Sequence, residues 1–171
     1  MSHPDNRGYG GAVRSGLEAA EGDAVFFTDA DRQFRLADIE RLLPAFETAD
    51  LVAGYRLKRS DPWIRLFIAR TYRVLLRATL GSTFRDVDCA FKLIRRDVID
   101  SVLPRLEARS PLISAELLLR TRRAGYRVVE VGVPHHPRTA GKAKGAPPRV
   151  ILQTLGEMLR LRGRISETGA R

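Results

Sequence analysis

The chain is poor in cysteine, in acid and in long apolar runs, and each shortage narrows what it can be. One cysteine in 171 residues, Cys89, rules out an internal disulfide. No stretch approaches the roughly 18 consecutive apolar residues of a bilayer-spanning helix. The first residues, Met1 to Gly11, are polar where a secretory leader has its apolar centre. The expectation is a cytoplasmic chain that does not itself cross a membrane. Acid is outnumbered, with 20 Asp and Glu against 30 Lys and Arg, a net charge of +10. Such an excess suits nucleic acid, anionic lipid or a phosphorylated substrate, unless the arginines only solvate helix surfaces. Aromatics make up 7% of the residues and fall mostly at core positions of strands and helices, not among the cations where stacked bases would need them. Nucleic acid is therefore not an expected partner. What remains, 44% hydrophobic residues with no internal repeat and no linker, reads as one globular domain.

Within it the apolar run Ala24 to Thr28 ends on Asp29 and Asp31. A short Val/Phe-rich run reads as a buried strand, and ligands of open α/β sheets gather at the carboxyl ends of strands. Asp29 and Asp31 are expected at the end of a central strand, converging on one side. Two carboxylates held this close share either a proton or a cation. Hard oxygen ligands favour Mg²⁺ or Mn²⁺ bridging protein to phosphate, and Gln33 adds an amide oxygen within reach. The plainer reading is that one Asp caps the helix that follows.

Around this strand the pattern alternates. Asn6 to Gly11 reads as a glycine-rich turn before a helix from about Ala12 to Glu21. A second helix is expected over about Leu36 to Thr48, then a strand from Asp50 to Arg56. Trp63 to Leu80 is a long helix with Ile64, Phe67, Ile68, Thr71, Val74, Leu75 and Ala78 on one arc and Arg70, Arg73 and Arg77 on another. That pattern suits a membrane surface or an ordinary core-packed helix with a solvated arginine face. Further on come a charged segment with a strand-like end (84–96), helices over 97–103 and 114–124 with Gly125 as the stop, a strand over 126–133, a cationic loop over 135–145 and a helix over 148–161. His135 and His136 are expected at the surface, and residues 164–171 as a disordered tail.

The ordered set Asn6-Arg7-Gly8-Tyr9-Gly10-Gly11-Ala12, Thr28-Asp29-Ala30-Asp31-Arg32-Gln33, Gly54-Tyr55-Arg56, Asp86-Val87-Asp88-Cys89-Ala90-Phe91-Lys92, Glu116 and Gly125 to Val131 resembles family 2 glycosyltransferases. Its look is that of the dolichyl- or polyprenyl-phosphate mannose synthase and glucosyltransferase branch. The resemblance implies a GT-A type α/β fold, a mixed sheet flanked by helices. It implies inverting transfer of a hexose from a nucleotide diphosphate sugar, of the GDP-mannose or UDP-glucose class, to a polyprenyl phosphate, on a membrane's inner face. By the same resemblance Asp29, Asp31 and Gln33 hold Mg²⁺ or Mn²⁺. Arg56 and Arg65 grip phosphate, joined by Arg138, Lys142 and Lys144 on a mobile loop. Asp86 serves as a base or an orienting group, with Asn6, Gly8, Gly10, Lys92 and Glu116 as further site residues.

One departure stands out. Family members begin with a strand and a Pro-x-x-Asn-Glu type element that bind the nucleobase, and here Met1 lies just before the glycine turn. Residues 1–163 are therefore expected as a GT-A domain shortened at its N-terminus, and an inactive remnant retaining only membrane or partner association is the alternative. A phosphatase of the haloacid dehalogenase kind is disfavoured by Gln33, where that motif carries Thr or Val.

Overall fold

The computed structural model describes residues 4–57, 63–137 and 147–168. Four strands form one mixed sheet: β1 (Ala24–Thr28), β2 (Leu51–Arg56), β3 (Phe91–Arg95) and β4 (Val128–Val133), in the order β1-β3-β2-β4. β3 runs antiparallel to both neighbours, while β2 and β4 run parallel, register Leu51 to Val128 through Arg56 to Val133. Among the described residues β1 is therefore at an edge of the sheet, not at its centre as expected. β3, which follows it by more than sixty residues, takes the place beside β2.

Side chains alternate across the pleat, so each strand feeds two cores. Val25, Leu51, Ala53 and Ile94 face a large apolar layer built with Leu117 and Leu118 of α5 (Ile113–Arg123) and Val98 and Ile99 of α4 (Arg96–Val102). Val52, Phe91, Leu93 and Val133 face the other side, where Leu42 and Ala49 cover them. Helices on both faces are what strand–helix alternation dictates. Gly125 has φ +89°, as the residue after a helix end requires.

Three elements depart from the sequence expectation. The second helix is split into a 3₁₀ turn, Leu36–Arg41, and a short α2, Leu43–Phe46. Pro44 accounts for the break, since it cannot donate the N–H that would continue the turn. The last helix, α6 (Pro148–Thr168), runs through Gly163 into the expected disordered tail. The first helix, α1 (Gly8–Ala19), begins inside the glycine-rich segment.

That early start has a packing cause. Gly10 donates its N–H to Arg109 O at 3.0 Å, and a Cβ there would stand 2.6 Å from Ala108 O. Only glycine lets helix and loop backbones approach so closely. Gly10→Ala is therefore expected to cost about 1–3 kcal/mol by overpacking. Urea denaturation measures it, and an unchanged midpoint would show that the contact does not constrain the chain.

Candidate active site

The turn after β1 sets the geometry. Asp29, Asp31 and Gln33 are half-buried while Ala30 and Arg32 are exposed. Arg32 has φ +60°, a left-handed conformation rare for a side-chain-bearing residue, and this makes the sharp bend. Asp31 Oδ1 accepts the Gln33 N–H at 3.1 Å. Asp31 thus braces its own turn.

From there the turn is tied to the segment after β4. Gln33 O accepts from the His136 N–H at 2.9 Å, and Gln33 Nε2 donates to His136 O at 3.3 Å. His135 is buried against Phe34, ring centroids 5.4 Å apart. The expectation of surface histidines is corrected here: main-chain pairing with Gln33 pulls both inward. Buried polar atoms without a hydrogen-bond partner flank the turn, Thr28 Oγ1 and His136 Nε2. No three of the described His, Cys, Asp and Glu residues converge into a metal cage. Few protein oxygens beside unsatisfied polar atoms form a donor set that fits Mg²⁺ or Mn²⁺, which complete their shells with water and substrate phosphate.

A second pair of carboxylates lies across from the first. Asp86 accepts from Arg56 Nε at 2.6 Å and from its terminal nitrogen at 2.7 Å, in a two-pronged, largely buried pair. Burial works against the Arg56 charge, but Asp86 more than offsets it and the guanidinium stays firmly protonated. Two donors of Arg56, expected on phosphate, are thus committed to Asp86. Asp88, half-buried, lies close enough to Tyr9, Tyr72 and Lys92 to bear on the ionisation of all three. Tyr9, in the first turn of α1, donates its hydroxyl to Asp29 Oδ1 at 3.4 Å. Burial, then Asp29, holds that hydroxyl protonated well above the usual phenol range. Neither Tyr9 nor Asp88 stood out in the sequence, although Asp86-Val87-Asp88 repeats the spacing of Asp29-Ala30-Asp31.

The other expected site residues divide. Asn6 Oδ1 accepts the Gly8 N–H at 2.8 Å, fixing the entry to α1, and Gly8 has φ +74°. Glu116 is wholly buried but turned away from the carboxylates. It accepts the N–H groups of Glu107 at 3.0 Å and Ala108 at 2.8 Å, and Arg120 Nε at 2.7 Å. Glu157 of α6 takes the N–H groups of Arg109 and Ser110. The two glutamates brace the loop on which Gly10 rests, so Glu116 acts at one remove. Lys92 is buried beneath the Asp86–Cys89 turn. The Arg65 side chain and the loop carrying Arg138, Lys142 and Lys144 lie outside the described residues.

The sequence pattern of glycosyl transferase family 2 matches residues 1–103. The chain belongs to that family. Glycosyltransferase AglD of Haloferax volcanii is 31% identical over 171 aligned positions, which cover 92% of this chain and 26% of AglD. Glucosyl-3-phosphoglycerate synthase of Mycobacterium tuberculosis, solved with phosphoglyceric acid, has the same fold. Its TM-score is 0.69 at 21% identity, covering 94% of this chain and 57% of that one. The same synthase with Mn²⁺ and UDP-glucose aligns with a TM-score of 0.61 at 22% identity, over 92% of this chain and 52% of that one. The family 2 chain described here thus spans about a quarter of AglD and just over half of the synthase. Its mixed sheet between helices is the GT-A type architecture.

Proposed function

We propose that the chain transfers a hexose, with inversion, from a nucleotide diphosphate sugar of the GDP-mannose or UDP-glucose class to a polyprenyl phosphate. The observation that supports this reading is that half-buried Asp29, Asp31 and Gln33 follow the carboxyl end of β1, and that Asp29 and Asp88 of the second carboxylate pair both bear on Tyr9. The mycobacterial synthase, with this fold, binds Mn²⁺ and UDP-glucose. Asp29, Asp31 and the Gln33 amide would hold Mg²⁺ or Mn²⁺, which when bound neutralises charge on the departing diphosphate. Tyr9 steadies Asp29, and Arg56 steadies Asp86. A phosphomonoester acceptor has its second pKa near 6, so it arrives ionised and needs no strong base. That agrees with Asp86 being spent on orientation.

The acceptor's lipid places the reaction at a membrane's cytoplasmic face, and α3 (Trp63–Leu80) offers the contact surface. The face of α3 turned to the core is Tyr72, Leu76 and Leu80, because this i, i+4, i+8 row packs on the apolar layer. The described part of the broader apolar arc points outward, with Ile68 54% and Val74 61% exposed. Arg70, Arg73, Val74 and Arg77 line an open groove of about 370 Å³ beside it. On α6, which packs against α3, Leu152 and Leu159 are 69% and 65% exposed. Exposed apolar side chains bordered by arginines suit an anionic lipid surface. No helix among the described residues is long and apolar enough to cross a membrane.

Each cation near such a surface contributes about 1 kcal/mol. Changing Arg70, Arg73 and Arg77 together to Gln is expected to weaken binding to phosphatidylserine vesicles roughly a hundredfold. A flotation assay at low salt reads this. If the chain ignores these vesicles yet retards random DNA at the same ionic strength, the membrane reading fails. The transfer reading itself is tested with labelled UDP-glucose and GDP-mannose on a short polyprenyl phosphate: Mn²⁺ supports labelling of the lipid and chelator stops it. Labelling that persists in excess chelator would overturn the metal, and no labelling with either donor favours an inactive remnant.

A further inference from the structure

We infer that Lys92 is a positioning residue that holds the Asp86–Cys89 turn in the shape that presents Asp86 and Asp88 to the site. A lysine with no exposed surface is unusual, and this one has all three ammonium hydrogens committed. They go to Val87 O at 3.3 Å, to Cys89 O and to Ser114 Oγ at 2.9 Å. The register explains how it gets there. Lys92 opposes Phe27 on β1 and Ala53 on β2, so its stem projects on the α5 side of the sheet, directly under the turn.

The acceptors it chooses give the residue its role. Val87 and Cys89 flank Asp88, and both of their carbonyls are drawn inward to one nitrogen. From the other side Arg56 pins Asp86, and Cys89 donates its N–H back to Asp86 O at 3.2 Å. The four-residue turn is thereby held between Arg56, largely buried, and Lys92, wholly buried, with Ser114 linking Lys92 to α5. A buried ammonium is costly and is retained only where its hydrogen bonds and neighbouring charges compensate. Burial lowers the tendency of Lys92 to hold its proton, and Asp88, Asp86 and Asp29 all oppose that. The cation therefore sits among the carboxylates of both pairs, and a neutral apolar residue in its place would leave two inward carbonyls with nothing to accept from.

This inference rests on the proposed transfer reading for its purpose but not for its test. The single cysteine reports on the turn directly, because Cys89 is fully buried and its thiol is pushed up to about 12 by burial. Reaction of the intact chain with DTNB requires the turn to open. Ser114→Ala removes one acceptor at little cost to packing, and Lys92→Met removes the charge at similar length. Leu118→Ala, a buried α5 site one helical turn beyond Ser114 with no hydrogen bond to Lys92, serves as a packing control. The expected result is that Cys89 labelling accelerates about threefold in Ser114→Ala and at least tenfold in Lys92→Met, with no dependence on low urea, while in Leu118→Ala any acceleration follows global unfolding. Unchanged rates in Ser114→Ala, or acceleration that tracks urea as in the control, would overturn the positioning role, and the Ser114→Ala arm decides the matter even if Lys92→Met fails to fold. Transfer kinetics separate the two claims. With the role intact, kcat falls in Ser114→Ala while the donor KM stays within twofold. A faster-labelling variant with unaltered kcat would show that the turn does not serve the reaction, and absence of transfer in the unmutated chain would count against the transfer reading alone.

Discussion

Asp86→Asn is expected to lower the stability of the chain by about 3 kcal/mol, seen as a clear fall in the urea midpoint at unchanged slope. The cause is the guanidinium left behind. Arg56 presents two N–H groups at 2.6 and 2.7 Å to a carboxylate that is 10% exposed, and is itself 12% exposed. An amide can answer only one of those donors and carries no charge. Removing one partner of a largely buried pair costs more than removing both, since the desolvated survivor has nothing to offset it. The double variant Arg56→Met with Asp86→Asn should therefore be more stable than Asp86→Asn alone. If the losses simply add, the two side chains are not coupled and the geometry described for the pair does not hold in solution.

Asp31→Ala carries the larger functional effect. Transfer from the nucleotide sugar is expected to fall at least about a hundredfold, the scale on which removal of one fixed electrostatic stabiliser is felt. Stability should change less than in Asp86→Asn, because Asp31 is only half-buried and its bond to the Gln33 N–H is local. That contrast with Asp86→Asn separates a carboxylate locked in a two-pronged pair with Arg56 from one proposed to hold the metal. Retained turnover in folded Asp31→Ala would remove the metal role from this residue.

The parts of the fold that follow from periodicity were legible in the sequence. The runs Ala24 to Thr28 and Asp50 to Arg56 read as strands because each is bounded by turn residues, and the structure has strands at Ala24–Thr28 and Leu51–Arg56. What periodicity does not carry is which side of a helix packs. On α3 the apolar arc through Ile68 and Val74 is broader than the row Tyr72, Leu76 and Leu80, yet the narrower row faces the core. Sheet order was equally out of reach, since β1 pairs with β3 across more than sixty residues of chain. At the site, the turn carrying Asp29, Asp31 and Gln33 was readable because an apolar strand run ends on it. Tyr9 was not, because it meets Asp29 only across twenty residues of chain, and Asp88 was not, because its influence on Tyr9 and Tyr72 is tertiary. Glu116 belonged to the right pattern, but its partners in the loop over 107–108 decide what it does.

The central claim is that the turn after β1 holds a divalent cation against a nucleoside diphosphate. Substoichiometric Mn²⁺ added with UDP to the ¹⁵N-labelled chain tests it most directly, because the ion broadens amide signals within a short radius of where it binds. The account predicts that signals from Thr28 to Phe34 disappear first, followed by those of Tyr9 and Asp88, and that Asp29→Asn with Asp31→Asn together restore them. Broadening centred on other carboxylates, or equal in the double variant, would contradict it.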